Sequence, residues 1–256
     1  LILTPPTTAR TRSPMVNAAN LEKDYRWLED HRANYQVYLE DKSPETSILA
    51  LQGPKAEEIL QKLIDIDLKE LKFFNFRDGV KIDKIEAMVS RTGYTGEDGF
   101  EIFTNNEDVV KLWRKLLEVG SHYGLKPAGL GSRDTLRFEA ALPLYGNELS
   151  EDISPLEAGL KFFVKLKKES NFIGKDRLID QWEKGLDRVL VGFELLERGI
   201  PREGYEVYKE DKKIGHVTTG YMSPTLNKSI GNALIQADQA ELGEEIQVKI
   251  RNRMVK

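Results

Sequence analysis

The chain has 256 residues, enough for two compact domains or one large one. Hydrophobic residues make up 40% and charged residues 31%, which is typical of a soluble globular protein, and the net charge of −4 gives no bulk attraction to nucleic acid. Cysteine is absent, which excludes disulfides and thiolate metal sites, and the three histidines lie far apart in the sequence. No stretch approaches the ~20 apolar residues of a membrane span. We therefore expect no metal, no nucleic-acid partner and no membrane association.

The first part of the chain predicts a leader, one helix and one strand. Residues 1–14 carry Thr, Pro and Arg without an acid, and indicate a disordered leader or a segment foreign to the fold. Asn20 is a candidate N-cap for a helix over residues 21–32, because apolar side chains then recur at helical spacing. Residues 35–39 predict a strand.

Helices and strands then alternate over the middle of the chain. A buried helical stripe follows Pro54, and the sequence predicts further helices over residues 108–123, 132–141 and 171–182. Runs rich in β-branched and aromatic residues, separated by turn residues, predict strands. These strands are residues 47–51, 73–76, 80–82, 85–89 and 100–103.

From residue 188 onward the pattern changes to short strands separated by Gly, Pro, Asn and Asp. Strands at this spacing indicate a small antiparallel barrel or sandwich. They are predicted over residues 189–195, 205–208, 214–219, 230–234 and 246–250, and residues 251–256 read as an unpaired, incomplete final strand.

The most informative segment is residues 91–101, in which three glycines stand at every third position between two predicted strands. Glycine at this density permits positive φ and close approach of another molecule. Tyr94 offers a stacking face, and Glu101 offers two acceptor oxygens in one plane, which suits an amidine-like pair of donors. The segment is therefore either a site for a flat, nitrogen-rich ring or a hairpin with solvated acids.

A second glycine-rich segment, residues 127–139, leads from Gly129 and Gly131 into a helix. Arg133 lies in its first turn, where it can project toward a ligand, and Arg137 follows one turn later. A cationic face is possible, but the pattern favours a structural role for Arg137 and a solvated or paired helix face.

Taken together and in this order, seven segments resemble the glycine cleavage system T-protein family of aminomethyltransferases. The resemblance runs from about Met15 to Lys256. The segments are residues 16–20, 51–54, 91–101, 129–137, 144–147, 172–175 and 223–226.

The resemblance implies an enzyme that takes the aminomethyl group from the lipoylated H-protein, releases ammonia and transfers the carbon to tetrahydrofolate. It implies an α+β, cloverleaf-like multidomain fold that binds folate and ends in an antiparallel β-barrel domain. Tyr94 would line the pterin site and Glu101 would accept hydrogen bonds from the pterin. Asn17 would lie beside the folate, and Arg133 would contact the folate or order the site around it.

The chain also departs from the family, which has an Asp-Asp pair in a segment before the point that matches Val16. No such pair precedes Val16 here, so we assign no catalytic residue and expect an incomplete fold, truncated at the N-terminus and slightly at the C-terminus. The predicted domains are a leader (1–14), a remnant of an α/β domain (15–45), a central folate-binding domain (46–184) and the barrel (185–256). We expect a cytoplasmic location in a prokaryote, or the mitochondrial matrix in a eukaryote.

Three alternatives stay open at this point. One is a non-catalytic folate-binding relative of the iron–sulfur maintenance type, which the absence of cysteine disfavours. Another is the folate domain of a dimethylglycine or sarcosine dehydrogenase, and the last is a module that docks a carrier protein without chemistry.

Overall fold

The computed structural model describes residues 2–4, 15–33 and 35–256. The chain divides into two compact units, Leu1–Gly129 and Leu130–Lys256. The elements of the first unit are β1 (Ile2–Thr4), α1 (Leu21–His31), β2 (Tyr38–Glu40), β3 (Thr46–Gln52), α2 (Ala56–Leu60), β4 (Phe76–Ile82), β5 (Ile85–Ser90), β6 (Gly99–Asn105) and α3 (Val109–Gly120). Those of the second are α4 (Leu130–Glu139), α5 (Lys175–Lys184), β7 (Arg188–Glu194), β8 (Glu206–Lys209), β9 (Lys212–Ser223), β10 (Lys228–Gln236), β11 (Gln247–Ile250) and β12 (Arg253–Val255).

The first unit is built on a four-stranded antiparallel sheet with the strand order β3-β6-β5-β4. Its core lies between this sheet and helices α2 and α3, where Leu112 and Leu116 stand one turn apart and are buried. Side chains alternate along β6, so Phe100 and Ile102 are fully buried in that core. The same alternation turns Glu101 toward the other face of the sheet.

Near its start the chain differs in two ways from the sequence prediction. Within the expected disordered leader, β1 pairs in antiparallel register with β2, since residues such as Ile and Thr favour strands when a partner edge is present. The rest of that leader lies outside the described residues. Asn20 occupies the N-cap position of α1 but makes no side-chain capping bond, because a 3-10 turn, Ala18–Asn20, leads into the helix.

The sequence predicted two strands, over residues 73–76 and 80–82, and this division is wrong. One strand, β4, runs from Phe76 to Ile82 with an irregular register at Asp78 and Gly79. Phe74 lies in a turn with φ +60°, where its N–H donates to the carbonyl of Arg91 at 3.0 Å. This left-handed residue reverses the chain before the sheet begins.

The second unit contains a six-stranded antiparallel sheet with the order β12-β11-β8-β9-β10-β7. Beyond β7, the N–H of Leu196 donates to the carbonyl of Lys256 at 2.8 Å, which links the two edges of the sheet. The predicted antiparallel barrel is therefore confirmed. The expected unpaired final strand is wrong, because β12 pairs with β11 from Ile250↔Arg253 to Val248↔Val255.

Helix α4 packs on β9, and α5 begins at Lys175 instead of residue 171 because Gly174 precedes it with φ +86°. The α+β fold class and the C-terminal barrel agree with the sequence prediction, whereas the boundaries at residues 45 and 184 stay predictions. In the described part of the chain, no helix is both long enough and apolar enough to cross a bilayer.

Candidate functional site

Residues 91–101, here called the glycine bend, connect β5 to β6 in the first unit. Arg91 fixes the start of the bend with five hydrogen bonds, of which two go to Asp98 in a bidentate pair at 3.0 and 2.5 Å. The others reach Glu57 on α2 at 2.6 Å and the carbonyls of Leu68 and Leu71. Arg91 is therefore a clamp that ties the bend to the helical layer.

The side chain of Gln52, at the end of β3, occupies the interior of the bend. Its Nε2 lies 3.1 Å from the carbonyl of Thr92 and 3.3 Å from that of Phe100, and its Oε1 accepts from Thr95 Oγ1 at 3.1 Å. A Cβ at Gly93 would lie 1.9 Å from Gln52 Oε1, and one at Gly99 would lie 2.6 Å from Gln52 Cδ. The expectation that the bend's glycines make room for a ligand is thus corrected for Gly93 and Gly99, because the side chain of Gln52 fills the space beside them.

Glu101 lies on β6 directly opposite two small residues, Ala50 on β3 and Ser90 on β5. Its side chain is half-buried, and its Oε2 accepts from Thr92 Oγ1 at 2.5 Å. No described residue donates to the other oxygen, Oε1. Because Ala50 and Ser90 are small, they leave space around the carboxylate of Glu101 on this face of the sheet. Among the described residues, Thr92 donates to one of its two oxygens.

Tyr94 stands in the middle of the same bend and is half-buried. Gln52 bonds the carbonyl of Thr92 before Tyr94 and the hydroxyl of Thr95 after it, so the chain is tied on each side of the phenol. The structure therefore places Tyr94 and Glu101 on one tied segment of the first unit. The sequence pattern pointed to these two residues but gave no role to Gln52, whose contacts join positions 40 and 48 residues apart.

Asn17 also belongs to the first unit, where it precedes the 3-10 turn Ala18–Asn20. Its carbonyl accepts from the N–H of Asn20 at 2.9 Å, and its exposed side chain makes no capping bond. The structure thus gives Asn17 a turn-forming backbone role and leaves its expected place beside a folate as a prediction.

Arg133 lies on the exposed side of α4 in the second unit. Arg137, one turn later, is only 1% exposed and donates to Asp134 Oδ1 at 2.7 Å and to Glu148 Oε2 at 2.8 Å. The cationic face considered for these two arginines is therefore wrong, because Arg137 turns inward and is neutralised by carboxylates.

Three residues of α4 bond to side chains that alternate along β9. Asp134 accepts from the hydroxyl of Tyr221, and Arg137 Nη2 donates to Thr219 Oγ1 at 3.3 Å. Glu139 accepts from Ser223 and, just beyond β9, from Thr225 at 2.6 Å. Because Thr219, Tyr221 and Ser223 follow the two-residue period of a strand, they share one face, and α4 is held along its length with Arg133 on it.

Asp98 and Tyr221 are among the groups in these networks whose pKa values are displaced. The guanidinium of Arg91 donates to Asp98 and lowers the pKa of that carboxyl. Burial, together with the hydrogen bond to Asp134, raises the pKa of Tyr221 to about 12. Asp98 belongs to the ties of the glycine bend in the first unit, and Tyr221 belongs to those between α4 and β9 in the second.

In the part of the chain that the structure describes, no three or more His, Cys, Asp or Glu are grouped so that they could hold a metal ion. Besides the Arg91–Asp98 pair and the amide of Gln52, the glycine bend carries a phenol, the carboxylate of Glu101 and hydroxyls. This set can hold a planar polar molecule through stacking and hydrogen bonds.

Comparison with known proteins assigns both parts of the chain. Residues 7–168 match the GCVT N-terminal domain, and residues 188–256 match the glycine cleavage T-protein C-terminal barrel domain. An aminomethyltransferase of Thermoanaerobacter sp. (strain X514) is 64% identical over 242 residues, which cover 94% of this chain and 66% of that protein. One of Alkaliphilus metalliredigens (strain QYMF) is 60% identical over the same shares of the two chains.

The fold agrees with a solved relative. The crystal structure of the glycine cleavage system aminomethyltransferase T from Bartonella henselae matches with a TM-score of 0.81 at 28% identity, covering 93% of this chain and 64% of that one. The chain thus spans slightly less than two thirds of these proteins. It belongs to the glycine cleavage T-protein family.

Proposed function

We propose that this protein takes part in the aminomethyltransferase reaction of the glycine cleavage system. In this reaction the aminomethyl group on the lipoyl arm of the H-protein loses ammonia, its carbon passes to tetrahydrofolate as a methylene group, and the lipoyl thiol is regenerated. Tetrahydrofolate is a substrate, and the reaction needs no metal. The relatives are bacterial proteins, and we place the reaction in the bacterial cytoplasm.

The observation that carries the proposal is the carboxylate of Glu101, set between Ala50 and Ser90 with one oxygen unbonded by described residues. A reduced pterin presents an amino group beside a ring N–H, and a carboxylate accepts such a donor pair with its two oxygens. The half-buried phenol of Tyr94 on the same bend supplies a stacking face. These two residues would hold the heterocycle.

Arg133 and Asn17 have supporting roles in the proposal. Arg133 is an exposed cation on a helix fixed to β9, which suits contact with an anionic part of folate or ordering of the residues around it. Asn17 would add a polar contact beside the folate. We assign no catalytic residue to this chain, so its contribution to the reaction is to bind and orient tetrahydrofolate.

Calorimetric titration with tetrahydrofolate tests the binding role. Glu101→Gln keeps the size of the side chain but removes one acceptor, and we expect at least tenfold weaker binding from the loss of a charge-assisted bond. Glu97→Gln, an exposed carboxylate on the same bend, is the matched control and should bind as the unchanged protein does. Equal affinity of the Glu101→Gln and Glu97→Gln variants would discard the assignment of Glu101.

A second assay separates chemistry from binding. Ammonia release from aminomethylated H-protein is measured with and without tetrahydrofolate. Release that depends on both tetrahydrofolate and this chain supports the transferase function. Tight binding of the H-protein without any release would favour a docking module instead.

Neither the iron–sulfur maintenance protein nor the dehydrogenase domain is favoured as an alternative. The relatives from Thermoanaerobacter and Alkaliphilus, which share 64% and 60% of their aligned residues with this chain, are both named aminomethyltransferases. The crystal structure from Bartonella henselae carries the same name. These likenesses support the transferase reading over both alternatives.

A further inference from the structure

The amide of Gln52 contacts the glycine bend at three separate points. It reaches Thr92 before Tyr94, Thr95 after Tyr94, and Phe100 immediately before Glu101. The next residue, Gly53, adds a backbone bond from its N–H to the carbonyl of Asp98 at 2.9 Å. One side chain therefore contacts the chain on both sides of Tyr94 and at the residue that precedes Glu101.

The three glycines of the bend differ in what disfavours a side chain at each position. Gly96 has φ +80°, a backbone conformation that side chains disfavour. Gly93 and Gly99 do not have positive φ, and what excludes a methyl group there is the amide of Gln52, 1.9 Å from a Cβ at Gly93 and 2.6 Å from one at Gly99. At two of the three glycines, a side chain would thus displace the amide of Gln52 from its present position.

We propose that Gln52 is a positioning residue that sets the orientation of Tyr94 and Glu101 toward their ligand. This inference rests on the proposed function, since the ligand is the heterocycle of tetrahydrofolate. The connection runs through Thr92, whose carbonyl accepts from Gln52 and whose hydroxyl donates to Glu101. Gln52 itself does not touch the ligand.

An amide is the side chain that this position requires. It must donate two hydrogen bonds to carbonyls and accept one from a hydroxyl, and the planar amide of glutamine supplies two N–H groups and one carbonyl oxygen. Glutamate would set an acceptor oxygen against two carbonyl oxygens. Methionine has similar length but makes none of these bonds.

The first test compares Gln52→Met with Gln61→Met. Gln61, in the same unit, also bonds the backbone with both ends of its amide, donating to Ile66 at 2.8 Å and accepting from Leu68 at 2.9 Å, but it lies outside the bend. We expect both variants to lower Tm similarly, and Gln52→Met alone to weaken tetrahydrofolate binding roughly tenfold. If Gln52→Met weakens binding no more than Gln61→Met does, the inference is overturned.

A double-mutant cycle tests the same contact from the other side. Gly93→Ala places its methyl group on the Gln52 amide and must displace it, so its effect on tetrahydrofolate affinity should match that of Gln52→Met. The double variant should then bind no more weakly than either single variant. Gly96→Ala is the control, because its backbone strain is independent of Gln52 and its effect should add to that of Gln52→Met. Additive effects of Gly93→Ala and Gln52→Met would contradict the contact.

A ligand-free measurement keeps this inference distinct from the proposed function. If the unchanged protein does not bind tetrahydrofolate, the proposed function fails. The role of Gln52 is then decided by ¹⁹F spectra of protein carrying 3-fluorotyrosine, with the Tyr94 resonance assigned from Tyr94→Phe. We expect one narrow Tyr94 resonance that broadens or splits in Gln52→Met and not in Gln61→Met. An unchanged resonance in Gln52→Met would contradict the positioning role.

Discussion

Arg137 and Glu148 form a fully buried ion pair, with 2.8 Å between Nη1 and Oε2 and each side chain only 1% exposed. The other oxygen of Glu148 accepts from Thr218 Oγ1 at 2.9 Å and from Thr219. Every buried charge in this cluster therefore has a partner, as the cost of burying an ion requires. The pair joins α4 to the segment before the barrel and to β9.

Removal of one partner from this pair should destabilise the protein strongly. Glu148→Leu leaves the guanidinium of Arg137 buried, with Asp134 as its one remaining counter-charge among the described residues, and we expect a loss of about 3–5 kcal/mol in the free energy of unfolding. Urea denaturation followed by circular dichroism measures it.

The matched control is Asp180→Asn, which breaks the exposed i,i+4 pair between Lys184 and Asp180 in the same unit and should cost less than about 0.5 kcal/mol. Arg137→Met combined with Glu148→Leu should cost less than the sum of the two single changes, because the double variant buries neither charge of the pair, and Asp134, which is partly exposed, keeps the hydrogen bond from Tyr221. A loss for Glu148→Leu as small as that of the control would contradict the buried pair.

The raised pKa of Tyr221 predicts a loss of stability in alkali. The phenol titrates near pH 10 in the unfolded chain and at about 12 in the folded protein, so the folded state holds a proton that the unfolded state has lost. The free energy of unfolding should therefore fall as the pH rises from about 10 to about 12. Tyr221→Phe should lessen this slope, measured by urea denaturation at several pH values. An identical slope in Tyr221→Phe would show that the phenol is not the cause.

The clamp formed by Arg91 and Asp98 predicts the opposite dependence at low pH. Because the pKa of Asp98 is lowered in the folded protein, its contribution is fully present above the unfolded-state pKa of about 3.9 and is lost as the pH falls through the folded value. Titration of the Asp98 carboxyl by NMR checks the direction. Arg91→Lys should move this pKa back toward its ordinary value, since lysine cannot form the bidentate pair. A pKa for Asp98 that does not change in Arg91→Lys would show that the guanidinium does not hold this carboxylate.

Local patterns were enough to predict most elements of both units. The apolar run over residues 100–103 predicted the strand that the structure shows as β6, and the spacing of short strands after residue 188 indicated an antiparallel barrel or sandwich. These signals succeed because burial on one face of a sheet imposes a two-residue period. The choice of Tyr94 and Glu101 used the same local information, and their role in binding stays a prediction.

Features that depend on contacts between distant positions were not predictable. The pairing of β12 with β11 needs the barrel to bring the two strands together, and Phe74 adopts positive φ where the distant Arg91 accepts its N–H. The contacts of Gln52 were not predicted for the same reason, because they join positions 40 and 48 residues apart in the sequence. Gly93 and Gly99 looked like glycines that admit a ligand, and only the folded chain shows a glutamine against them.

The most direct measurement is a crystal structure of this chain soaked with tetrahydrofolate. We predict the pterin edge within hydrogen-bond distance of both carboxylate oxygens of Glu101, with the ring of Tyr94 against its face. Tetrahydrofolate bound at another place, with the glycine bend open to solvent, would contradict this binding mode.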